Sequence, residues 1–152
     1  MSREILFKAK VKDSIEWIKG GLIVVKNTER RFIFIVDIDS KTALRGFTTH
    51  CSDKFDWRST EADPDTVCQF TGLKTVNNDK IWENDIIIVR EEYRGLVKYD
   101  HGAFVVEWLN VSWLRTDLYY WANKPSFKIV GNAFDTPELL GTRQPRIVHL
   151  DL

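Results

Sequence analysis

The sequence predicts a mainly β protein, a β-rich α+β fold, with an N-terminal antiparallel meander followed by a small curled SH3-like barrel and short helical turns. Three observations carry that expectation. Residues alternate at a period of two, as in Ile5 to Val11 and Val67 to Thr71, which suits half-buried strands. Turn residues such as Asp13-Ser14, Asn27-Thr28-Glu29 and Asn77-Asn78-Asp79 interrupt the runs at short intervals. Six Trp and nine Phe make the chain rich in aromatics, which fit a pleated surface; the alternative use of so many rings is an exposed aromatic binding face. The 152 residues suffice for one domain. Within it the pattern suggests an N-terminal β lobe over 1–70, an SH3-like lobe over 71–141 and a tail over 142–152.

In the first strand, Ile5, Phe7, Ala9 and Val11 share one face, and Lys8, Lys10 and Lys12 share the other, which reads as the solvated side. After the Asp13-Ser14 turn, Ile15 to Ile18 leads through Gly20-Gly21 into Leu22 to Val25, all extended. Phe32 to Ile38 is the next strand. Short turns between consecutive antiparallel strands make these three a meander. Asp39 to Asp65 is less regular: a strand or short helix near Leu44 to Thr48, then a long polar loop of the kind that often contacts a partner.

The most patterned stretch runs from Thr66 to Val89. A strand through Val67 to Thr71 is broken at Gly72, because glycine enters backbone conformations that other residues resist. Asn77-Asn78-Asp79 turns, Ile81-Trp82 packs, Glu83-Asn84-Asp85 turns again, and Ile86 to Val89 is a buried strand. Glu91 to Gly95 is expected as a turn, and Leu96 to Tyr99 with Phe104 to Trp108 as a hairpin over Asp100-His101-Gly102. Ser112 to Ala122 reads as a short helix or an irregular segment, with Ser112 as cap and Leu114, Leu118 and Trp121 on one face. Phe127 to Phe134 closes the sheet. Thr136 caps a helix start with Pro137 in its first turn. The tail ends in the apolar Ile147-Val148-His149-Leu150, which suits addition to the strand edge of a neighbouring subunit.

Five blocks of this sequence, in order, resemble the YopX family of phage and prophage proteins. Arg3 to Ala9 resembles that family's R-E-I-K-F-R-A opening. Gln69, Phe70, Thr71, Gly72 and Leu73 match its Gln-Tyr/Phe-Thr-Gly-Leu segment. Ile81, Trp82, Glu83, Asn84, Asp85, Ile86 and Ile87 match its Ile/Val-aromatic-Glu-Gly-Asp segment, with Asn84 in place of the usual glycine. Gly95 to Phe104 resembles a G-x-V-x-Y-x-x-G segment, and Ile129 to Leu140, with Gly131, Asn132 and Pro137, resembles an I-G-N…N-P-E-L-L ending. Asn is the next best residue for a left-handed turn position, so Asn84 is a mild departure. The resemblance implies a mobile-element origin and carries no activity with it.

The remaining features bound the function. Formal net charge is zero, which argues against a general electrostatic grip on nucleic acid. The more basic end is N-terminal, with Lys8, Lys10, Lys12, Arg30 and Arg31. No apolar run has the length of a membrane span and no signal core follows the N-terminus, so a cytoplasmic protein of a bacterial host is expected, without membrane contact. Cys51 and Cys68 are too few for a disulfide framework and are expected as free thiols.

Metal ligation by His50, Cys51, Cys68, His101 and His149 lacks paired spacing. Cys51 beside His50 would point to the opposite face of a strand, which is wrong for a nucleophile and its base. Asp37 and Asp39 would share a face and invite a metal-dependent nuclease reading, although such a pair is more often the wet end of a strand. No cofactor, metal or catalytic set is therefore expected. Gln69, Thr71, Gly72, Trp82, Asn84, Asp85, Gly102, Gly131, Asn132 and Pro137 read as a structural motif, with the Asp85 carboxylate accepting backbone N–H groups in the Asn84 turn. The expected role is a non-enzymatic binding protein, homo-oligomeric, with an unidentified host or phage partner. The alternative is a nucleic-acid module using Trp82, Arg90, Arg94 and Lys98.

Overall fold

A computed structural model of the chain describes residues 4–26, 31–36, 59–141 and 146–147. It is mostly strand, as the residue pattern predicts, with little helix. The contacts divide the chain into two compact units, Met1–Gln69 and Phe70–Leu152.

In the first unit, β1 (Phe7–Lys10), β2 (Trp17–Lys26), β3 (Arg31–Val36) and β4 (Ser59–Glu61) form an antiparallel array in the order β4-β3-β2-β1. The first residues of β5 (Cys68–Lys74) pair with the free side of β1, Phe7 facing Gln69 and Lys8 facing Cys68. Period-two alternation puts Ala9 opposite Ile18 and Leu22 opposite Ile35. Ala9, Ile35 and Ala62 are buried, with Phe7, Ile18, Leu22 and Val67 packed against them. Asp13, at φ 57°, turns the chain between β1 and β2, and Ser14 N–H closes the turn on the Val11 carbonyl at 3.0 Å.

Two expectations for this unit need correction. The lysine face of β1 is not simply solvated: Lys8 is buried, and the Lys8 and Lys10 ammonium groups lie 4.7 and 5.6 Å from the centroid of the Trp17 ring. Cross-strand pairing sets Lys10 opposite Trp17, so the ring covers the lysine stems. The polar loop after Asp39 ends earlier than expected, because Ser59–Glu61 pairs with β3 and Ala62 enters the core. Pro64–Thr66 is a single 3-10 turn whose Asp65 N–H is accepted by Asp63 Oδ1 at 3.1 Å. The expected elements at Leu44 to Thr48 lie outside the described residues.

In the second unit, the rest of β5 pairs with β6 (Lys80–Trp82). An antiparallel sheet of order β11-β7-β8-β9 joins β7 (Asp85–Val89), β8 (Tyr93–Asp100), β9 (Ala103–Trp108) and β11 (Phe127–Asn132). Between β9 and β11 lie β10 (Val111–Ser112) and the five-residue helix α1 (Leu118–Ala122). Ile87, Val89, Val97, Val106, Trp108, Trp113, Leu118, Trp121 and Phe127 belong to one core. Full burial of one such side chain contributes about 1.5–3 kcal/mol. Ile86 and Leu96 face each other across β7 and β8 and are buried outside that cluster, which is why β7 reads as an unbroken apolar run.

The Glu91 to Gly95 turn is shorter than expected, since Tyr93, Arg94 and Gly95 already pair with Val89, Ile88 and Ile87. Arg90 and Glu91 both take positive φ, 56° and 58°, without being glycine. Outside support holds this turn: the buried Asn110 side chain donates to the Glu92 carbonyl at 2.9 Å and accepts from Arg94 N–H at 2.8 Å. Gly95 serves close approach instead, as a Cβ there would overlap Val106 Cγ1.

The helix also differs. Ser112 lies in β10 and does not cap it; Asp117 does, its Oδ2 accepting Tyr120 N–H at 3.2 Å. Leu114 is 96% exposed and shares no apolar face with Leu118 and Trp121. Pairing of Val105 with Asp117, and Val106 N–H on the Thr116 carbonyl at 2.6 Å, keep the chain extended up to the cap. Near the C-terminus, Pro137–Leu140 is a 3-10 turn rather than the start of a longer helix. Of the tail, β12 (Arg146–Ile147) runs parallel to β10 of the same chain, while Val148, His149 and Leu150 of the segment expected at a neighbour's edge lie outside the described residues. Among the described residues no helix is long and apolar enough to cross a membrane.

Candidate functional site

The central motif spends its polar side chains on backbone. Gln69 is half-buried opposite Phe7. Buried Thr71 donates Oγ1–H to the Ile81 carbonyl at 2.7 Å and accepts Leu73 N–H at 3.2 Å. Gly72 takes φ 83°, the left-handed conformation that permits the bend. Trp82 is only 4% exposed; its ring lies 5.6 Å from that of Phe70, and its N–H donates to Asp85 Oδ2 at 2.8 Å. Asp85 is as deeply buried as Trp82, so its carboxylate works inside the fold. Asn84 turns the chain at φ 68°, with its N–H on the Val97 carbonyl and its own carbonyl accepting Ala133 N–H.

The remaining motif residues act locally. Gly102 sits at φ 84° in the β8–β9 hairpin. Gly131 lies so close to Thr136 Oγ1 that a Cβ would overlap it. Asn132 Oδ1 accepts the N–H groups of Phe134 and Asp135, and Thr136 Oγ1 both accepts Asn132 N–H and donates to its carbonyl. That hydroxyl is therefore not a side-chain cap for the turn begun by Pro137.

The four residues singled out for nucleic acid do not converge on an open face. Trp82 is buried and has no free ring surface for a base. The Arg94 guanidinium donates to the Leu139 carbonyl at 2.8 Å, and Lys98 Nζ to Asn84 Oδ1 at 3.0 Å. Arg90 is exposed in its strained turn. Cys68 is buried with Sγ 3.3 Å from the Thr66 carbonyl, while Asp37, Asp39, His50, Cys51 and His149 lie outside the described residues. Among the described residues no three His, Cys, Asp or Glu side chains gather as metal ligands.

What the structure does bring together lies around α1. Trp113 stacks on Trp121 at 4.5 Å with 9° between planes, and Trp108 meets both edge-on at 4.3 and 4.9 Å. The Trp121 and Trp108 indole N–H groups both donate to the Arg115 carbonyl, at 3.0 and 3.4 Å. With its backbone fixed this way, Arg115 holds its guanidinium carbon 4.5 Å from the Tyr120 ring centroid, and Lys124 Nζ lies 4.3 Å from the same centroid. No carboxylate among the described residues forms an ion pair with either cation. Tyr119, next along the helix, is 68% exposed. Trp113 Nε1 is buried without a hydrogen-bond partner among the described residues.

A family model described as YopX protein matches residues 6–141. The chain belongs to the YopX family. Among solved structures, the crystal structure of protein EF1440 from Enterococcus faecalis is similar over 92% of this chain and 100% of that one, at 18% identity and a TM-score of 0.48. No curated protein matches the sequence. Within this YopX-family chain, the quoted blocks around Thr71, Asp85 and Asn132 are those whose side chains hold backbone turns. The α1 face falls between these blocks, outside the segments that carry the resemblance. A signal was present: Tyr120 is an aromatic with one cation four residues after it, Lys124, and another five residues before it, Arg115. The hold on the Arg115 backbone carries no such signal, because its carbonyl is held by indoles from two different elements, Trp108 of β9 and Trp121 of α1.

Proposed function

We propose that this YopX-family chain is a phage- or prophage-derived protein of the bacterial cytoplasm that works by binding and performs no chemical step. The observation that carries this reading is the use made of the buried polar side chains: Thr71, Asp85 and Asn110 each hold a backbone group of a neighbouring turn or strand. Residues committed in this way build a rigid frame, and the surface chemistry is left to exposed side chains. The frame of the second unit reads as an SH3-like curl.

The reading includes a homo-oligomer. Its support is β11, at one end of the four-stranded order, with Val130 42% exposed. An end strand of this kind is a place for a second copy to add. Sedimentation equilibrium of the full chain tests it: a mass of two or more chains is expected, and the mass of a single chain across micromolar concentrations refutes the oligomer. Tagged full-length protein captured from host lysate, with and without nuclease, tests the mode of action. Specific retention of a macromolecule is expected, while turnover of a small-molecule or polymer substrate by the purified chain would overturn the non-enzymatic reading.

A further inference from the structure

We infer that the surface around α1 is a binding site for single-stranded nucleic acid, in which Arg115 and Lys124 take successive phosphates and Tyr119 stacks on a base. This rests on the reading of the chain as a binding protein and gives it a ligand class.

The argument begins with charge. Two cations converge on one ring, at 4.5 and 4.3 Å from the Tyr120 centroid. Each gains from the ring quadrupole, but two like charges near one another repel, and neither forms an ion pair with a carboxylate among the described residues. The nearest acidic group in sequence, Asp117, is occupied with its own helix cap, accepting Tyr120 N–H. A site with two unneutralised cations favours an anion, and a polyanion satisfies both.

Preorganisation is the second part. The Arg115 carbonyl receives two indole N–H donors, so the residue is anchored before any ligand arrives. From that anchored backbone the Arg115 side chain reaches the Tyr120 ring with a planar fork suited to phosphate oxygens, and Lys124 brings a point charge to the same ring. The shared ring keeps the two cationic centres close enough for neighbouring phosphates of one strand to reach both.

The third part is the exposed aromatic. Tyr119 is 68% exposed on the helix that carries Tyr120. A cationic track with a free aromatic ring is the combination that binds single strands with little sequence preference. An acidic peptide would use the two cations and leave the ring without a planar partner. The zero formal charge of the chain fits a local patch of this kind rather than a global electrostatic grip.

The test uses the full-length chain and a fluorescein-labelled, mixed-sequence single-stranded oligonucleotide, read by anisotropy over a salt series. Two phosphate contacts predict a slope of about −1.4 for log K against log salt, from about −0.7 per phosphate on single strands. The double substitution Arg115→Gln/Lys124→Gln is expected to flatten that slope towards zero. Tyr119→Ser, at an exposed position that leaves the fold intact, is expected to weaken binding about tenfold with the slope retained. No binding by the wild type at low salt overturns the proposal, as does unaltered binding by both variants. Equal binding of poly-glutamate overturns it in favour of an acidic protein surface. The recovered oligonucleotide is also run on a gel. A cleaved strand would defeat the non-enzymatic reading, whereas an intact but unbound strand would defeat only the assignment of this surface.

Discussion

Removing the Asp85 carboxylate is expected to destabilise the second unit substantially, without touching an exposed surface. In Asp85→Ala the Trp82 N–H loses the oxygen that it meets at 2.8 Å in an environment only 4% exposed. A hydrogen bond to a charged acceptor contributes about 1.5–3 kcal/mol, and a stranded buried donor costs about 1–3 kcal/mol. These overlap, so the expected loss is about 3 kcal/mol. For a chain of this length that corresponds to a fall in Tm of about 6–12 °C. With a urea dependence of about 2 kcal/mol per molar, the midpoint should move by about 1.5 M. Tryptophan fluorescence suits the measurement, because four of the six tryptophans, Trp82, Trp108, Trp113 and Trp121, lie in this unit. Asp85→Asn keeps an acceptor oxygen in place and should lose about 1 kcal/mol. An Asp85→Ala midpoint within about 0.5 kcal/mol of wild type would refute the assignment of this carboxylate to the turn.

Other substitutions separate causes that a single melting curve would merge. Gly72→Val should cost about 1–2 kcal/mol through its φ of 83° alone, since nothing lies within 4 Å of the added Cβ; an unchanged Tm would show that the bend tolerates a side chain. Gly95→Ala should cost more, through overlap with Val106 Cγ1, and adding Val106→Ala should recover about 1 kcal/mol relative to the sum of the single variants in a double-mutant cycle; strict additivity would place the clash elsewhere. Trp113→Phe should be cheaper than Trp121→Phe by about 1 kcal/mol in urea titrations, because Trp113 Nε1 has no partner among the described residues whereas Trp121 Nε1 donates at 3.0 Å; equal costs would mean that the hydrogen bond contributes nothing. Truncation after Gly141 removes β12 from β10 and should lower Tm by a few degrees while leaving the number of chains per particle in sedimentation unchanged; fewer chains per particle would show that the tail pairs between chains.

Much of the strand pattern was legible because period-two alternation and turn chemistry act locally. Asp13, Asn78 and Asn84 all sit at positive φ where polar turn residues interrupt apolar runs. The Arg90–Glu91 turn was misplaced because its support comes from Asn110, eighteen residues beyond Glu92, and no local signal reports a clamp of that kind. The helix start was misplaced for a related reason: pairing with Arg146–Ile147 draws Ser112 into a strand, so the residue that looked like a cap never becomes one. The nucleic-acid candidates near the family blocks were chosen by residue type, yet Trp82, Arg94 and Lys98 are engaged inside the fold. The α1 surface depends on Trp108 and Trp121 meeting at one carbonyl, a tertiary event that spacing does not encode.

The tryptophan cluster also affects how the protein would look in polarised light. Indoles stacked as closely as Trp113 and Trp121, with Trp108 edge-on to both, couple their excited states. The far-ultraviolet circular dichroism should therefore carry an aromatic exciton couplet superimposed on the strand signal. Estimates of secondary structure from such a spectrum would misstate the strand content of this chain. The couplet is useful in itself, because it reports whether α1 is seated on the core: it should weaken and change shape in Trp121→Phe, which leaves only the Trp108–Trp113 pair, while the strands remain.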